Sequence, residues 1–364
     1  MIRQISTIAS PRYPVHIGEY VPDSLNSFLK KNKFSSVFIL VDEHTLEHCY
    51  PVLVSRVKML AEAEIIELES GEKNKTVDVC MNVWRALSEL GADRKSLLIN
   101  LGGGVITDLG GFVASAYKRG ITFINIPTTL LAQVDASVGG KTGVDLDGLK
   151  NEIGLFSEPA ELFIYPEFLR TLPGREILSG FAEMLKHGLV ADADYWNELK
   201  NVHPADSSSW EELIVRSVRI KLSVVEADPH EAGLRRVLNF GHTVGHALET
   251  FFLERAESTL LHGEAVAAGM VCEAFLSHTF ASLSGEAMEE ITATILAKYP
   301  PVIFDAMADH RLIELMRHDK KNEGASIVFT LIDEIGKPVI NKNVDAAGIL
   351  RSLAYYRTSL NQSH

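Results

Sequence analysis

Short apolar runs alternate with longer helical periods along the first half of the chain. Residues 37–41, 96–101, 121–126 and 162–165 are short runs rich in Val, Ile, Leu and Phe, 64–68 reads as a further strand, and helical periods fill 43–60 and 75–90. Strand and helix in that order predict a largely parallel sheet with helices on its faces. After Pro166 the apolar positions fall three and four apart over 176–190, 210–227, 264–280, 286–297 and 312–317, which predicts a mainly α-helical second part. A late hairpin is expected over 327–331 and 338–340, turning near Gly336. At 364 residues the chain exceeds what one core usually serves, so two domains are expected, 1–166 and 167–364, with ligands in a cleft between them.

Within the second part, Arg235, Asn239, His242 and His246 stand at steps of four, three and four, the spacing of one helix face. A solvated face would carry exchangeable Lys and Glu, whereas this one offers a guanidinium, an amide and two imidazoles. Val237, Leu238, Phe240, Val244, Ala247 and Leu248 back it with an apolar side. Two satisfied core histidines would leave the same pattern. Gly241 and Gly245 weaken such a helix and point to close backbone packing, or to a start near Asn239.

Composition narrows the classes. The formal net charge of -13 disfavours a nucleic-acid partner, because phosphate backbones are met by basic surface. No apolar run approaches the ~20 residues that cross a bilayer, and the opening residues lack the apolar core of a secretion signal, so no membrane partner and a cytoplasmic location are expected. Cys49, Cys80 and Cys272 have no paired spacing and read as buried thiols.

The run at 96–101 leads into Gly102-Gly103-Gly104 and then a helical segment through Asp108. Glycines between a strand and a helix let backbone N–H groups approach a pyrophosphate at the helix N-terminus, so the first domain reads as Rossmann-like and nucleotide-binding. Asp42, closing an earlier strand, is placed to hold a ribose hydroxyl. The stretch from Pro127-Thr128-Thr129 through Asp135 and Gly139-Gly140-Lys141-Thr142 to Lys150-Asn151 reads as ligand-facing loops. Glu183, Lys186 and His187 share one helical turn. Glu183 with His187 has metal-pair spacing, and Glu183 with Lys186 has that of a solvent-facing ion pair. His262 opens a further helix, and a carboxylate with histidines on separate helices is the donor set of an open zinc site.

Taken in order, GEKNKT at 71–76, GGGVITDLGGFVASAYKRG at 102–120, IPTTLLAQVDASVGGKTGVD at 126–145, LKN at 149–151, TLPGREILSGFAEMLKHG at 171–188, EADPHEAGLRRVLNFGHTVGHALE at 226–249, LHGEAVA at 261–267 and DKKNEG at 319–324 resemble the 3-dehydroquinate synthases of the sugar phosphate cyclase family. The resemblance implies the dehydroquinate synthase-like fold, a homodimer, and a cyclase that eliminates phosphate from 3-deoxy-D-arabino-heptulosonate 7-phosphate with recycled NAD. It implies zinc or cobalt on Glu183, His242 and His262, with His246 a catalytic residue and not a ligand. For NAD it implies Asp42, Glu72, Lys75, Gly103, Gly104, Asp108, Thr128, Thr129, Lys141, Lys150 and Thr171. For the substrate it implies Asp135, Lys141, Asn151, Lys186, Lys221, Arg235, Asn239 and Lys320 or its neighbour Lys321, with Arg119 reaching the phosphate of a neighbouring subunit. Pro229-His230 departs from the family pattern, where charged residues are common. A metal-dependent NAD polyol or alcohol dehydrogenase, or another sugar phosphate cyclase, is the alternative; the basic set suits a phosphorylated acid, and Arg235 with Asn239 matches the carboxylate-binding pattern.

Overall fold

The computed structural model describes residues 6–147, 149–204, 210–255, 260–318 and 326–362. By contact they form two compact units, Met1–Pro173 with Ser208–Leu222, and Gly174–Ser207 with Ser223–His364.

The first unit is built on strands β1 (Ser6–Ala9), β2 (Pro14–Ile17), β3 (Val37–Asp42), β4 (Glu64–Leu68), β5 (Leu97–Gly102), β6 (Thr122–Pro127), β7 (Lys141–Leu146), β8 (Leu149–Phe156) and β9 (Leu162–Ile164). Seven of them form one sheet in the order β1-β2-β9-β6-β5-β3-β4. All of its pairings are parallel except β1 with β2. Side chains alternate across it. Ile39, Val41, Leu97, Ile99, Leu101, Ile124 and Ile126 enter the core on one face, while Phe38, Leu40, Leu98 and Phe123 enter that on the other. Burial on both faces explains why these strands read as nearly continuous apolar runs. Helices α1 (Val21–Lys31), α2 (Glu43–His48), α3 (Tyr50–Arg56), α4 (Val77–Glu89) and α5 (Gly104–Ala116) connect or cover the strands.

From β3 the chain moves outward to β4 and then returns to β5 on the other side of β3. Ligands of open α/β sheets bind at such a reversal, beyond the carboxyl ends of the strands. Asp42 ends β3 and Gly102 ends the neighbouring β5. The stretch read as ligand-facing loops is in part a separate antiparallel hairpin, β7 with β8.

The second unit is helical apart from one hairpin. It contains α6 (Gly174–Ala191), α7 (Ala193–Leu199), the end of α8 (Trp210–Ala227), α9 (His242–Leu253), α10 (His262–Phe280), α11 (Gly285–Lys298), α12 (Asp309–His318) and α13 (Ala346–Gln362). The hairpin pairs β10 (Ile327–Glu334) with β11 (Lys337–Val344). α10 is buried nearly all round, as befits the central helix of a helical core. Among the described residues no helix is long and apolar enough to cross a membrane.

Candidate functional site

In the first unit, the N-terminus of α5 is a place for an anion. Its first residue follows Gly103, and no side chain caps its free N–H groups. A Cβ on Gly103 would stand 3.0 Å from the Thr129 methyl carbon and one on Gly104 3.3 Å from the Ala136 methyl carbon, so side chains there would crowd the surface an anion must approach. Thr128 Oγ1 is buried without a partner among the described residues, an orphan donor for a ligand oxygen. At the end of β3, Asp42 accepts the Thr45 N–H at 2.8 Å and caps α2. These features fit the pyrophosphate and ribose of a dinucleotide.

Beside the helix end lies a buried charged cluster. Lys75, 4% exposed, donates from Nζ to Asp108 Oδ2 at 2.6 Å and to Asn151 Oδ1 at 2.7 Å. Burial opposes the charge of Lys75, and Asp108 followed by Glu72 outweighs it, leaving the pKa raised. Lys150 lies 3.5 Å from Glu72, and Lys221 pairs with Asp135 at 2.7 Å. Asn151 adopts φ +53° and donates its N–H to the Asp145 carboxylate at 2.8 Å. Lys141 begins β7, two residues after Gly139, whose N–H donates to the Tyr13 hydroxyl at 2.9 Å. Thr171 is exposed at the end of a turn, its hydroxyl donating to the Phe168 carbonyl. Arg119 lies beyond the C-terminus of α5 at φ +69°. That helix has 13 residues and is about 20 Å long, so Arg119 is remote from the glycine turn.

In the second unit the four-residue stripe is broken. Residues Leu234–Asn239 form a 3-10 turn, Gly241 turns the chain at φ +82°, and α9 starts at His242. Only His242 and His246 therefore share an α-helical face. The physical reason is the left-handed glycine, which no continuous helix accommodates. The glycine pair does pack closely: a Cβ on Gly269 of α10 would lie 2.0 Å from the Gly241 carbonyl oxygen and 2.8 Å from Gly245 N. Gly269→Ala is expected to destabilise the protein by about 3 kcal/mol, read from denaturant melts, because backbone and not a pliable side chain blocks the methyl.

Past the sharp turn α9 packs on α10, which packs on α6. Glu183 Oε1 lies 3.4 Å from His242 Nε2 and 3.6 Å from His262 Nε2. Two ligands of a tetrahedral zinc at ~2.1 Å are about 3.4 Å from each other, so each imidazole nitrogen stands at ligand spacing from the Glu183 oxygen. His242, His246 and His262 also present ring nitrogens all within 4.8 Å of one another. The far nitrogens of two rings are already held: His242 Nδ1 lies 3.2 Å from the Phe240 carbonyl oxygen and His262 Nδ1 3.3 Å from Glu249 Oε2. Donation from Nδ1–H to these oxygens leaves each Nε2 lone pair turned to Glu183, as metal sites require. His246 is exposed.

Electrostatics favour a cation here. Burial, then Lys186, hold the His242 pKa well below its ordinary value, keeping a neutral ligand. For His262 burial acts the same way, but Glu249 and Glu183 outweigh it and raise the pKa to about 10, and a field that stabilises imidazolium also stabilises a metal ion. Lys186 does pair with Glu183, but both are fully buried, so the solvent-facing reading of this pair is corrected. Helix α6 is enclosed over most of its length.

Arg235 is 4% exposed and donates to the Pro229 carbonyl at 2.9 Å. The unusual loop before it is ordered by Asp228, which accepts N–H groups from Ala232, Gly233 and Arg235. Asn239 donates to Glu231 at 3.2 Å. Lys320 and Lys321 fall outside the described residues. Glu249 and Glu273 were not foreseen in the sequence; Glu249 lies two turns after His242, the spacing that signals a shared face.

Known proteins share the sequence and the fold. A family model for the 3-dehydroquinate synthase N-terminal part matches residues 65–179, and one for its C-terminal part matches 180–322. The chain is 46% identical over 347 residues to the 3-dehydroquinate synthase of Parabacteroides distasonis, covering 95% of this chain and 98% of that one. Among solved structures, a 2-deoxy-scyllo-inosose synthase complexed with carbaglucose-6-phosphate, NAD+ and Co2+ superposes with a TM-score of 0.83 at 24% identity, covering 96% of this chain and 98% of that chain. A 2-epi-5-epi-valiolone synthase from Streptomyces hygroscopicus with NAD+ and Zn2+ gives 0.83 at 24%, covering 98% and 99%.

Proposed function

The chain belongs to the 3-dehydroquinate synthase family, and on that premise we propose that it converts 3-deoxy-D-arabino-heptulosonate 7-phosphate to 3-dehydroquinate and phosphate. The sequence of bond changes is oxidation of a ring carbinol, β-elimination of phosphate, re-reduction, ring opening and aldol closure. The observation that carries the reading is the meeting of Glu183, His242 and His262 with ligand spacing in a chain of this family.

Residues 1–166 are assigned to NAD and 167–364 to the metal and most of the substrate. Glu183, His242 and His262 would hold zinc or cobalt; Asp42, Gly103, Gly104, Thr128 and Thr129 would hold NAD, with Glu72, Lys75 and Asp108 beside them. When bound, NAD accepts and returns a hydride, and the metal acidifies an alcohol and polarises the ketone. The chain's own residues do the rest. Lys141, Lys186, Lys221, Arg235 and Asn239 bind carboxylate and phosphate in an otherwise acidic protein, where a guanidinium grips two oxygens at once. Asp135 and Asn151 orient hydroxyls, and Lys320 is assigned with the basic set. His246, with its exposed ring 5.1 Å from that of His242 and 5.8 Å from that of His262, carries protons near neutral pH. Arg119 serves the phosphate of a second subunit in a homodimer.

Following phosphate release and NADH absorbance together tests the reading. We expect phosphate in proportion to substrate consumed, with no net NADH, because the hydride returns within each turnover. NADH accumulating one-for-one with substrate, without phosphate, would make the protein a dehydrogenase.

A further inference from the structure

Both proposed imidazole ligands stand at the first residue of a helix: His242 opens α9 and His262 opens α10. That end is unfavourable for a cation. The free N–H groups of a helix N-terminus amount to roughly +0.5 of a charge, and a dication held at two such ends meets that repulsion twice. The residues preceding the helices, Gly241 and Leu261, have no side-chain oxygen to cap them.

A carboxylate occupies each end instead, Glu273 of α10 at the start of α9 and Glu264 of α10's own first turn at the start of α10. Glu273, fully buried three turns along α10, accepts the Gly241 N–H on Oε2 at 2.6 Å and the Val244 N–H on Oε1 at 3.2 Å. These contacts bracket His242. Glu264 accepts the Leu261 N–H at 2.9 Å, and its two oxygens also receive Arg175 Nε at 2.6 Å and Nη2 at 2.7 Å. The two acids differ in one respect. Arg175 offsets the charge of Glu264, whereas among the described residues no cationic side chain pairs with Glu273.

We propose that Glu273, seconded by Glu264, is a positioning residue for the metal: its charge cancels the helix ends that would otherwise repel a dication on His242 and His262. The inference rests on the site assignment above. With both oxygens accepting N–H groups, the hydrogen bonding calls for the ionised form of Glu273. Burial alone pushes this carboxyl up to about 8 despite those bonds, and a nearby dication supplies the positive charge that favours ionisation. The acid and the metal then stabilise each other, although no bond joins them.

Glu273→Gln tests this, because it keeps the size and the carbonyl acceptor for the shorter bond from Gly241 while removing the charge, at the cost of the longer 3.2 Å bond from Val244. Metal-free wild type and variant are titrated with cobalt(II), reading the dissociation constant by chelator competition and the visible d–d bands. We expect the variant to bind cobalt about tenfold more weakly, with unshifted bands. A dissociation constant within about twofold of wild type overturns the proposal. Weaker binding with shifted bands also overturns it, since Glu273 would then be holding α9 in place. Should Glu273→Gln not fold, Glu264→Gln carries the test, with an expected weakening of about threefold and unshifted bands; unchanged binding overturns the idea. A wild-type protein that binds no cobalt sinks the site assignment itself, a distinguishable failure.

Discussion

Glu183→Ala is expected to leave a protein that retains no divalent metal after dialysis and has lost at least about 10³-fold in kcat/KM. Lewis-acid stabilisation is worth several kcal/mol, and each 1.36 kcal/mol is tenfold in rate. The loss is large because Glu183 is an anionic donor facing both His242 Nε2 and His262 Nε2. It also has a cost in folding. Lys186 pairs with Glu183 in the buried interior of α6, and removing the acid strands a buried ammonium, which costs about 3–5 kcal/mol. Elemental analysis and a thermal melt of the metal-free protein separate the two effects. A variant that keeps one metal per chain would remove Glu183 from the ligand set.

His246→Ala is expected to behave differently. Metal content stays at one per chain, while kcat falls about 10²- to 10⁴-fold, the range for losing a positioned proton carrier. The ring is exposed where those of His242 and His262 are half-buried. Glu183 Oε1 stands at ligand spacing from His242 Nε2 and His262 Nε2. Loss of metal in step with activity would turn His246 into a ligand.

The sequence made the strands legible because a parallel sheet buried on both faces leaves nearly continuous apolar runs, as in Leu97–Gly102, where Asn100 is the exception. It concealed the β7–β8 hairpin, whose glycines and hydroxyls are also those of a loop. The stripe from Arg235 to His246 has the spacing of one helix, yet the α-helix starts only at His242, close to the start near Asn239 that the two glycines allowed. Periodicity registers spacing and is blind to a single left-handed residue such as Gly241. Of the site, His242, His246 and Glu183 stood out as chemistry on helical spacing, but only the family resemblance chose between His246 and Glu183 as a ligand. Glu249 and Glu273 were hidden because their partners, His262 at 13 residues and Gly241 at 32, are brought to them by the packing of α9 on α10. Long-range contacts of this kind leave no local signature in the chain.

The central claim is the identity of the three protein ligands. X-ray absorption at the zinc edge of the reconstituted protein tests it most directly, because outer-shell scattering from imidazole rings counts the histidines bound. The account predicts two imidazoles, with the remaining first-shell scatterers being oxygen, and the loss of the metal signal in Glu183→Ala. Three imidazoles in the wild-type spectrum, falling to two in His246→Ala, would contradict it.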